Sequence, residues 1–226
     1  MVVSCILVGA GKGTRLGLSS GKAFLEINSR PLVVLTMEKF LRQRQIKQMI
    51  LVVRREDLRK ARQVVKKFFP TKDIDIVPGG ATRSQSVRNG LAKVSDFSEY
   101  VMVHDVARVL VREKEIQALL RHVKKQRCCA LGSRASKTLK RTRKNAKGYR
   151  IVEHVQRNDL FEIHTPQVFE RKVLQKAYEK SFSKDALDSS QVCGKAGYTV
   201  YIVPGSSDNI KITYPQDLVF AREVLR

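Results

Sequence analysis

Short apolar runs alternate along the chain with longer segments in which apolar residues recur at helical spacing. The runs are rich in branched residues and predict buried strands at residues 2–8, 49–53, 75–77, 100–104, 128–131 and 199–203. The helical spacing predicts helices at residues 29–42, 56–69, 82–94, 113–126, 170–180, 189–196 and 216–225. Ser29 is expected to cap the first helix, and the third is expected to start at Thr82 or Ser84. This alternation predicts an α/β fold with a mostly parallel, Rossmann-like sheet flanked by helices on both faces.

The segment from residue 134 to residue 150 breaks this pattern. It holds eight lysines or arginines and no acidic residue. Leu139 and Tyr149 flank a turn at residues 145–148, which predicts a projecting two-stranded β-arm. We assign this arm to residues 134–156, within a single domain that spans residues 1–226. A solvated basic loop, a dimerisation arm and a nucleic-acid patch are the alternative interpretations of the charge.

Composition narrows the class of protein. The chain has 226 residues, 42% of them hydrophobic, and no apolar run approaches the length that spans a membrane. The first residues carry no basic segment of the kind that opens a secretion signal, so we expect a cytoplasmic protein. The four cysteines lack C-x-x-C spacing and are expected to be reduced thiols: Cys5, Cys128, Cys129 and Cys193.

The charge balance is strongly positive, because 44 lysines and arginines stand against 21 acidic residues, giving +23. Such a chain attracts nucleotides, phosphorylated substrates, nucleic acid or acidic lipid. A nucleic-acid-binding protein is therefore a rival hypothesis. Against it, no helix-turn-helix, zinc-finger or RNP pattern occurs, and aromatic residues for stacking make up only 7% with no tryptophan.

A glycine-rich loop follows the first predicted strand directly. Glycines at positions 9, 11 and 13 leave room for backbone N–H groups to surround an anion, and Lys12, Arg15 and Lys22 add positive charge. The loop is not a Walker A motif, since Ala23 follows Gly21-Lys22, and it lacks the third glycine of a dinucleotide fingerprint. Instead, a G-x-G-x-R pattern is followed by a lysine seven residues after the arginine. That pattern is typical of nucleotidyltransferases, and a tight turn with solvated charges is the plainer alternative.

Two other motifs also follow predicted strands. Gly79-Gly80 comes after the third strand, and His104-Asp105 ends the fourth. Ligands of open α/β sheets bind beyond the carboxyl ends of strands. We therefore expect these residues and the glycine loop to line one site.

Five motifs occur in the order and at the spacing of one enzyme family: the glycine loop and residues 79–87, 104–108, 165–167 and 208–213. Through them nearly the whole chain resembles the methylerythritol-phosphate cytidylyltransferases of the non-mevalonate isoprenoid pathway. The resemblance implies the nucleotide-diphospho-sugar transferase type of fold. It implies transfer of CMP from CTP to 2-C-methyl-D-erythritol 4-phosphate, with release of pyrophosphate. The related ribitol-5-phosphate cytidylyltransferases keep ribitol 5-phosphate, or another polyol phosphate, open as the acceptor.

The resemblance also implies site residues. The catalytic set would be Arg15, Lys22 and Lys211, with Lys211 also at the acceptor phosphate. The nucleotide would be bound by Gly9, Ala10, Gly11, Lys12, Gly13, Gly80, Ala81 and Ser86. The acceptor would be bound by Asp105, Arg108, Thr138, Arg157 and Thr165. Asp105 would also meet a divalent cation such as Mg²⁺. In the family, Thr138 and Arg157 belong to an arm that crosses to a partner subunit, so a homodimer is implied.

Some positions depart from the family's usual residues. Gly9 stands where an alanine is usual, and Lys22 lies between Gly21 and Ala23 instead of between proline and glutamine. Further departures are Ala81, Val109 and Leu187-Asp188-Ser189.

The chemistry needs no catalytic histidine. A phosphate monoester has a second pKa of about 6, so near neutral pH it is a dianion that can attack phosphorus without a general base. The protein has to hold two polyanions and stabilise the transition state, which cations do. His104 is accordingly expected to be a packing or hydrogen-bonding residue.

Overall fold

A computed structural model describes residues 1–17, 21–180 and 186–226 of the chain. Its strands are β1 (Val3–Val8), β2 (Glu26–Ile27), β3 (Arg30–Pro31), β4 (Ile46–Val53), β5 (Ile74–Pro78), β6 (Tyr100–Asp105), β7 (Cys128–Arg134), β8 (Lys140–Asn145), β9 (Gly148–His154), β10 (Phe161–Glu170) and β11 (Tyr201–Pro204). Its α-helices are α1 (Leu32–Leu41), α2 (Leu58–Phe68), α3 (Arg83–Leu91), α4 (Glu113–Gln126), α5 (Arg171–Lys180), α6 (Ser189–Lys195) and α7 (Pro215–Val224).

The central sheet has the strand order β11-β7-β10-β6-β1-β4-β5. Strand β10 runs antiparallel to both neighbours, and the other pairings are parallel. In register, Val8 lies between Val52 and Asp105, so the carboxyl ends of three adjacent strands meet at one edge. The predicted mostly parallel α/β fold is confirmed.

Helices cover both faces of this sheet. Side chains of α1, α2, α4 and α7 form one hydrophobic cluster with it, and side chains of α3, α5 and α6 form another. Within β1, Cys5 and Leu7 belong to the first cluster and Ile6 to the second, all fully buried. A strand buried on both faces is apolar throughout, which is why these runs were visible in the sequence.

Two sequence predictions differ from the structure. Ser29 does not cap α1: it lies at φ +60° in a turn that pairs β2 with β3, and the helix begins after Pro31. Strand β10 was not predicted as a strand, because its run of mixed residues, including His164, Pro166 and Gln167, has neither an apolar core nor regular alternation.

The basic segment forms the predicted two-stranded hairpin. Strands β8 and β9 pair antiparallel around a turn between Asn145 and Gly148. Almost every residue of the hairpin is exposed, including the apolar side chains of Tyr149, Ile151 and Val152.

The four cysteines are buried free thiols, as expected from their spacing. Across the residues that the structure describes, no helix combines the length and apolarity that crossing a membrane requires.

Candidate active site

The carboxyl ends of the central strands open into a cavity of about 610 Å³. Its walls come from all three predicted motifs and from the segment after β4: residues 8–15, 22–23, 54–56, 79–83, 86, 105–107, 211 and 213. The glycine loop, Gly79-Gly80 and Asp105 therefore line one cavity, as expected, whereas His104 lines neither this cavity nor the next.

A second cavity of about 370 Å³ adjoins the first. It is lined by residues 83, 105, 108, 163–165, 167, 187–188 and 211. Three side chains line both cavities: Arg83, Asp105 and Lys211. The site is thus a pair of compartments with a charged boundary between them.

The boundary is built around the carboxylate of Asp105, which is 5% exposed. Arg83 approaches Oδ1 at 2.9–3.0 Å, and Lys211 Nζ donates to Oδ2 at 2.8 Å. Burial opposes ionisation of Asp105, but the charges of Arg83 and Lys211 outweigh it and hold its pKa well below the ordinary value. Asp105 is therefore a carboxylate clamped by two cations.

A hydrogen-bonded chain fixes the backbone on either side of Asp105. The Asp105 N–H donates to Thr165 Oγ1 (3.0 Å), and that hydroxyl lies 3.1 Å from His104 Nδ1. His104 Nε2 lies 3.2 Å from the carbonyl oxygen of Arg108. A carbonyl only accepts, so Nε2 carries the proton and Nδ1 accepts from Thr165.

His104 is fully buried, and this burial lowers its pKa to about 3, so the ring is neutral. The interpretation of His104 as a hydrogen-bonding residue is confirmed.

The segment after β11 completes the boundary from the other side. Asn209 donates through Nδ2 to the Thr165 carbonyl at 2.9 Å, and its backbone carbonyl accepts from Arg108 Nη1 at 2.6 Å. The Ile212 N–H donates to the carbonyl of Ala107 at 2.9 Å. These bonds place Lys211 beside Asp105 although more than a hundred residues separate the two in sequence.

The glycine loop supplies the wall nearest to β1. The Gly9 N–H is already donated to the Val52 carbonyl at 2.7 Å, so Gly9 continues the sheet and cannot hold phosphate through that group. The groups from Ala10 to Gly13 line the cavity beyond it. Arg15 follows in a 3₁₀ turn between Gly13 and Gly17, both left-handed, with its guanidinium 5.5 Å from the centroid of the Tyr214 ring.

The backbone around Lys22 is positioned by a contact that the sequence did not reveal. A Cβ added at Gly21 would lie 2.2 Å from Asp57 Oδ2, and Asp57 is itself held by Arg54 Nε at 2.6 Å. Gly21 has φ −57°, a value that proline also adopts. Gly21 thus has a backbone angle that would also suit the proline usual in the family that the sequence resembles, but the Asp57 carboxylate lies where a Cβ would be.

Lys22 reaches the cavity and donates to the carbonyl of Ile212. Burial and the positive charges of Lys211 and Arg15 lower its pKa to about 8. Its ammonium is therefore half-buried among like charges, an arrangement that an anion would stabilise.

The loop after β5 is held by its own helix. The Gly80 N–H donates to Ser86 Oγ (3.1 Å), Ser86 Oγ donates to the Thr82 carbonyl (3.0 Å), and the Ala81 N–H donates to Gln85 Oε1 (3.2 Å). Ser86 is buried, so it shapes the loop at the edge of the cavity.

Most of the proposed site residues come together, but two do not. Thr138 and Arg157 are exposed at the base of the arm and line neither cavity; Arg157 donates to the Ser136 carbonyl at 2.6 Å.

Conversely, the sequence alone assigned no role to Arg83. The sequence shows only that Arg83 is a cation within the motif of residues 79–87. It does not show that the folded chain buries Arg83 against Asp105.

The donor set suits a metal ion that takes most of its ligands from a substrate. The described residues contain no cluster of three or more histidine, cysteine or acidic side chains that could hold an ion alone. The larger cavity is lined by the carboxylates of Asp105 and Glu56. Magnesium commonly binds through one or two carboxylates together with substrate phosphates, so these residues fit it.

Known proteins resemble this chain over its length. The family model described as 2-C-methyl-D-erythritol 4-phosphate cytidylyltransferase matches residues 3–226. A protein of that name from Clostridium botulinum is 36% identical over 224 residues, covering 98% of this chain and 96% of that protein. Another, from Alkaliphilus metalliredigens, is 32% identical over 226 residues and covers 99% and 92%.

Solved structures agree with these matches. The crystal structure of 4-diphosphocytidyl-2C-methyl-D-erythritol synthase from Anaerococcus prevotii superposes with a TM-score of 0.84 at 27% identity, covering 99% of this chain and 98% of the other.

Removing the Asp105 charge should destabilise the protein. Asp105→Asn leaves Arg83 buried without its counter-charge, so we expect the free energy of unfolding in urea to fall by about 3 kcal/mol at pH 7. Because the folded pKa is depressed, the stabilisation is fully present above the unfolded pKa of about 4 and is lost only as the pH falls towards the lower folded value. The difference from wild type should thus stay constant from pH 7 to about 5 and shrink below that.

Asp208→Asn is the matched control. Asp208 pairs with Arg112 at 2.7 Å, but both side chains are nearly half exposed. We expect a change below about 1 kcal/mol. Equal losses in the two variants would contradict the importance assigned to the buried pair.

Proposed function

Because this chain belongs to the family of 2-C-methyl-D-erythritol 4-phosphate cytidylyltransferases, we propose that it transfers CMP from CTP to 2-C-methyl-D-erythritol 4-phosphate and releases pyrophosphate. The main structural support for this proposal is the arrangement of the two cavities. Two cavities, each lined with cations, meet at the wall formed by Arg83, Asp105 and Lys211. That arrangement suits a reaction in which two polyanions must be brought into contact.

In this mechanism the larger cavity takes CTP. The N–H groups of Ala10 to Gly13 face the triphosphate, and the loop of Gly80, Ala81 and Ser86 lies on the side of the nucleoside. Arg15 can span two phosphate oxygens, while Lys22 acts as a compact point charge at the α-phosphate. Both cations stabilise charge that grows as the bond to pyrophosphate breaks.

The acceptor enters from the second cavity and attacks as a phosphate dianion. Lys211 and Arg108 neutralise its charge and hold it in line with the leaving pyrophosphate. Asp105 orients Lys211 through their 2.8 Å contact, and Thr165 fixes the Asp105 backbone. The neutral, fully hydrogen-bonded His104 supports a mechanism without a general base.

Mg²⁺ is the proposed cofactor. Asp105 supplies the carboxylate of the boundary itself, and each of its oxygens keeps lone pairs beyond the one used by Arg83 or Lys211. When bound, the ion would neutralise charge on the nucleotide phosphates.

We also infer a homodimer formed through the arm of residues 134–156. The exposed apolar side chains of Tyr149, Ile151 and Val152 support it, since side chains grouped in this way mark protein interfaces. A partner's arm would also account for Thr138 and Arg157, which lie outside the cavities of their own chain.

Reduced, buried cysteines support a cytoplasmic location.

The function is tested by pyrophosphate release. The protein with CTP and Mg²⁺ should turn over 2-C-methyl-D-erythritol 4-phosphate, faster than ribitol 5-phosphate, and chelation of the metal should stop turnover. Preference for ribitol 5-phosphate would overturn the acceptor assignment. Tight oligonucleotide binding that weakens steeply with salt, without CTP turnover, would favour the nucleic-acid hypothesis instead.

The two loop cations should be essential. We expect Arg15→Ala and Lys22→Ala each to lower kcat by about a hundredfold or more, on the order of 3 kcal/mol, because each removes charge stabilisation in the transition state. Steady-state kinetics with both substrates measure this. Near-normal turnover in either variant would show that its role is assigned wrongly.

Lys22 should also set the alkaline limit of activity. With its pKa lowered to about 8, the side-chain amine of Lys22 is protonated below that pH in the free protein and loses its charge above it. Hence kcat/KM for CTP, which reports the free enzyme, should fall as the pH rises through about 8. Lys22→Arg keeps its charge and should move the fall to higher pH; an unchanged alkaline limb in that variant would assign the titration to another group.

Charges placed on the arm should dissociate the dimer. Tyr149→Glu with Ile151→Glu should halve the mass measured by light scattering and raise the acceptor KM. The control is Phe97→Glu, which alters a side chain that is 58% exposed but lies outside the arm. A wild-type monomer, or a double variant that remains a dimer, would contradict the role of the arm.

A further inference from the structure

The second cavity contains buried polar atoms that the protein leaves unsatisfied. Across the described residues, few buried side-chain atoms have no hydrogen-bond partner, and three of them belong to residues that line this cavity. One of the three, Arg83 Nη2, lies 2.9 Å from the carboxylate of Asp105, which leaves His164 Nδ1 and Arg108 Nε without a partner of either kind. An unpaired buried polar group costs free energy. A ligand with polar atoms of its own would remove that cost, so these two nitrogens mark binding positions.

His164 is held within the protein by weak contacts only. It is 5% exposed and lies on β10, where Nε2 approaches Ser133 Oγ at 3.4 Å. Burial and the nearby charge of Arg108 lower its pKa to about 4. A neutral imidazole has one donor and one acceptor nitrogen, so His164 suits a hydroxyl group, which can match either.

The neighbouring polar side chains are already occupied. Gln167 donates from Nε2 to Asp188 Oδ2 (3.0 Å) and accepts from the Ser190 N–H (3.1 Å). Asp188 caps α6 by accepting from the Gln191 N–H at 2.8 Å. Thr165 bonds to Asp105 and His104. Of the neutral polar side chains lining this cavity in the described residues, His164 alone has a nitrogen to spare.

The chemistry of the transfer orients the acceptor, on the basis of the proposed function. Its phosphate must reach the α-phosphorus of a nucleotide in the larger cavity, and so must lie at the boundary beside Lys211 and Arg83. The polyol that carries this phosphate then extends away from the nucleotide. The second cavity is the space that the structure offers there, and its inner wall includes His164.

We propose that His164 binds a hydroxyl group of the acceptor polyol through Nδ1 and thereby contributes to acceptor selection. Arg108 Nε lies in the same cavity and donates to a second oxygen of the acceptor. The cations at the boundary recognise the phosphate that every candidate acceptor has. His164 recognises what distinguishes one polyol from another: the position of its hydroxyl groups.

The test compares two substitutions at this position. His164→Leu removes the hydrogen bond, and His164→Asn keeps an amide close to the position of Nδ1. We expect the Leu variant to raise KM for 2-C-methyl-D-erythritol 4-phosphate about tenfold, as the loss of one buried hydrogen bond predicts. KM for CTP, and kcat at saturating acceptor, should stay within about twofold, and the Asn variant should recover most of the affinity.

Analogues of the acceptor that each lack one hydroxyl group identify the contact. In wild type, the analogue without the contacted hydroxyl should bind about tenfold more weakly. In His164→Leu the same analogue should lose almost nothing further. This coupling would not arise from a purely structural role.

The control is His122→Leu, which removes an exposed histidine on α4 and should change no kinetic constant. Urea unfolding shows whether His164→Leu is folded. A folded Leu variant with unchanged acceptor KM, or equal losses for acceptor and CTP, would overturn the role of His164. If wild type turns over no polyol phosphate, the proposed function fails, which is a different result.

Discussion

The ionised carboxylate of Asp105, buried at the end of a central strand, is the constraint on which the site depends. A buried charge is tolerated only when opposite charges and hydrogen bonds compensate it. Here the compensation comes from distant parts of the chain, since Arg83 opens α3 and Lys211 lies in the segment after β11. The ion pairs of Asp105 therefore connect the end of β6 to α3 and to the segment after β11, at the point where the two cavities meet. The bonds of Thr165, His104 and Asn209 fix the backbone around it.

Apart from the ion pairs of Asp105, the larger cavity is lined by more cationic than acidic side chains. The pKa of Lys22 is lowered by burial and by its cationic neighbours, and burial also lowers the pKa of Arg108. Cations that repel one another in this way are stabilised when anions bind between them. Folding thus sets up an electrostatic field that favours the binding of a nucleotide and a phosphorylated acceptor together, as expected of a cytidylyltransferase.

Much of this architecture could be predicted from the sequence, for a physical reason. Strands buried on both faces must be apolar throughout, so β1, β4 and β6 were visible as runs, and the ends of parallel strands share one edge. Strand β10 was missed because its polar residues are satisfied by tertiary partners: Thr165 by Asp105, Gln167 by Asp188. The contributions of Arg83 and His164 were equally hidden, since burial and an unpaired nitrogen are properties of packing.

The contact between Gly21 and Asp57 links two parts of the sequence that would otherwise vary independently. The loop that delivers Lys22 leaves no room for a side chain at position 21 while the carboxylate of Asp57 occupies that space. A relative with proline before the lysine must solve the same problem with a smaller or displaced group at the position of Asp57. The two positions are therefore expected to change together during divergence. A chimera that exchanges only one of them would inherit a steric conflict beside Lys22.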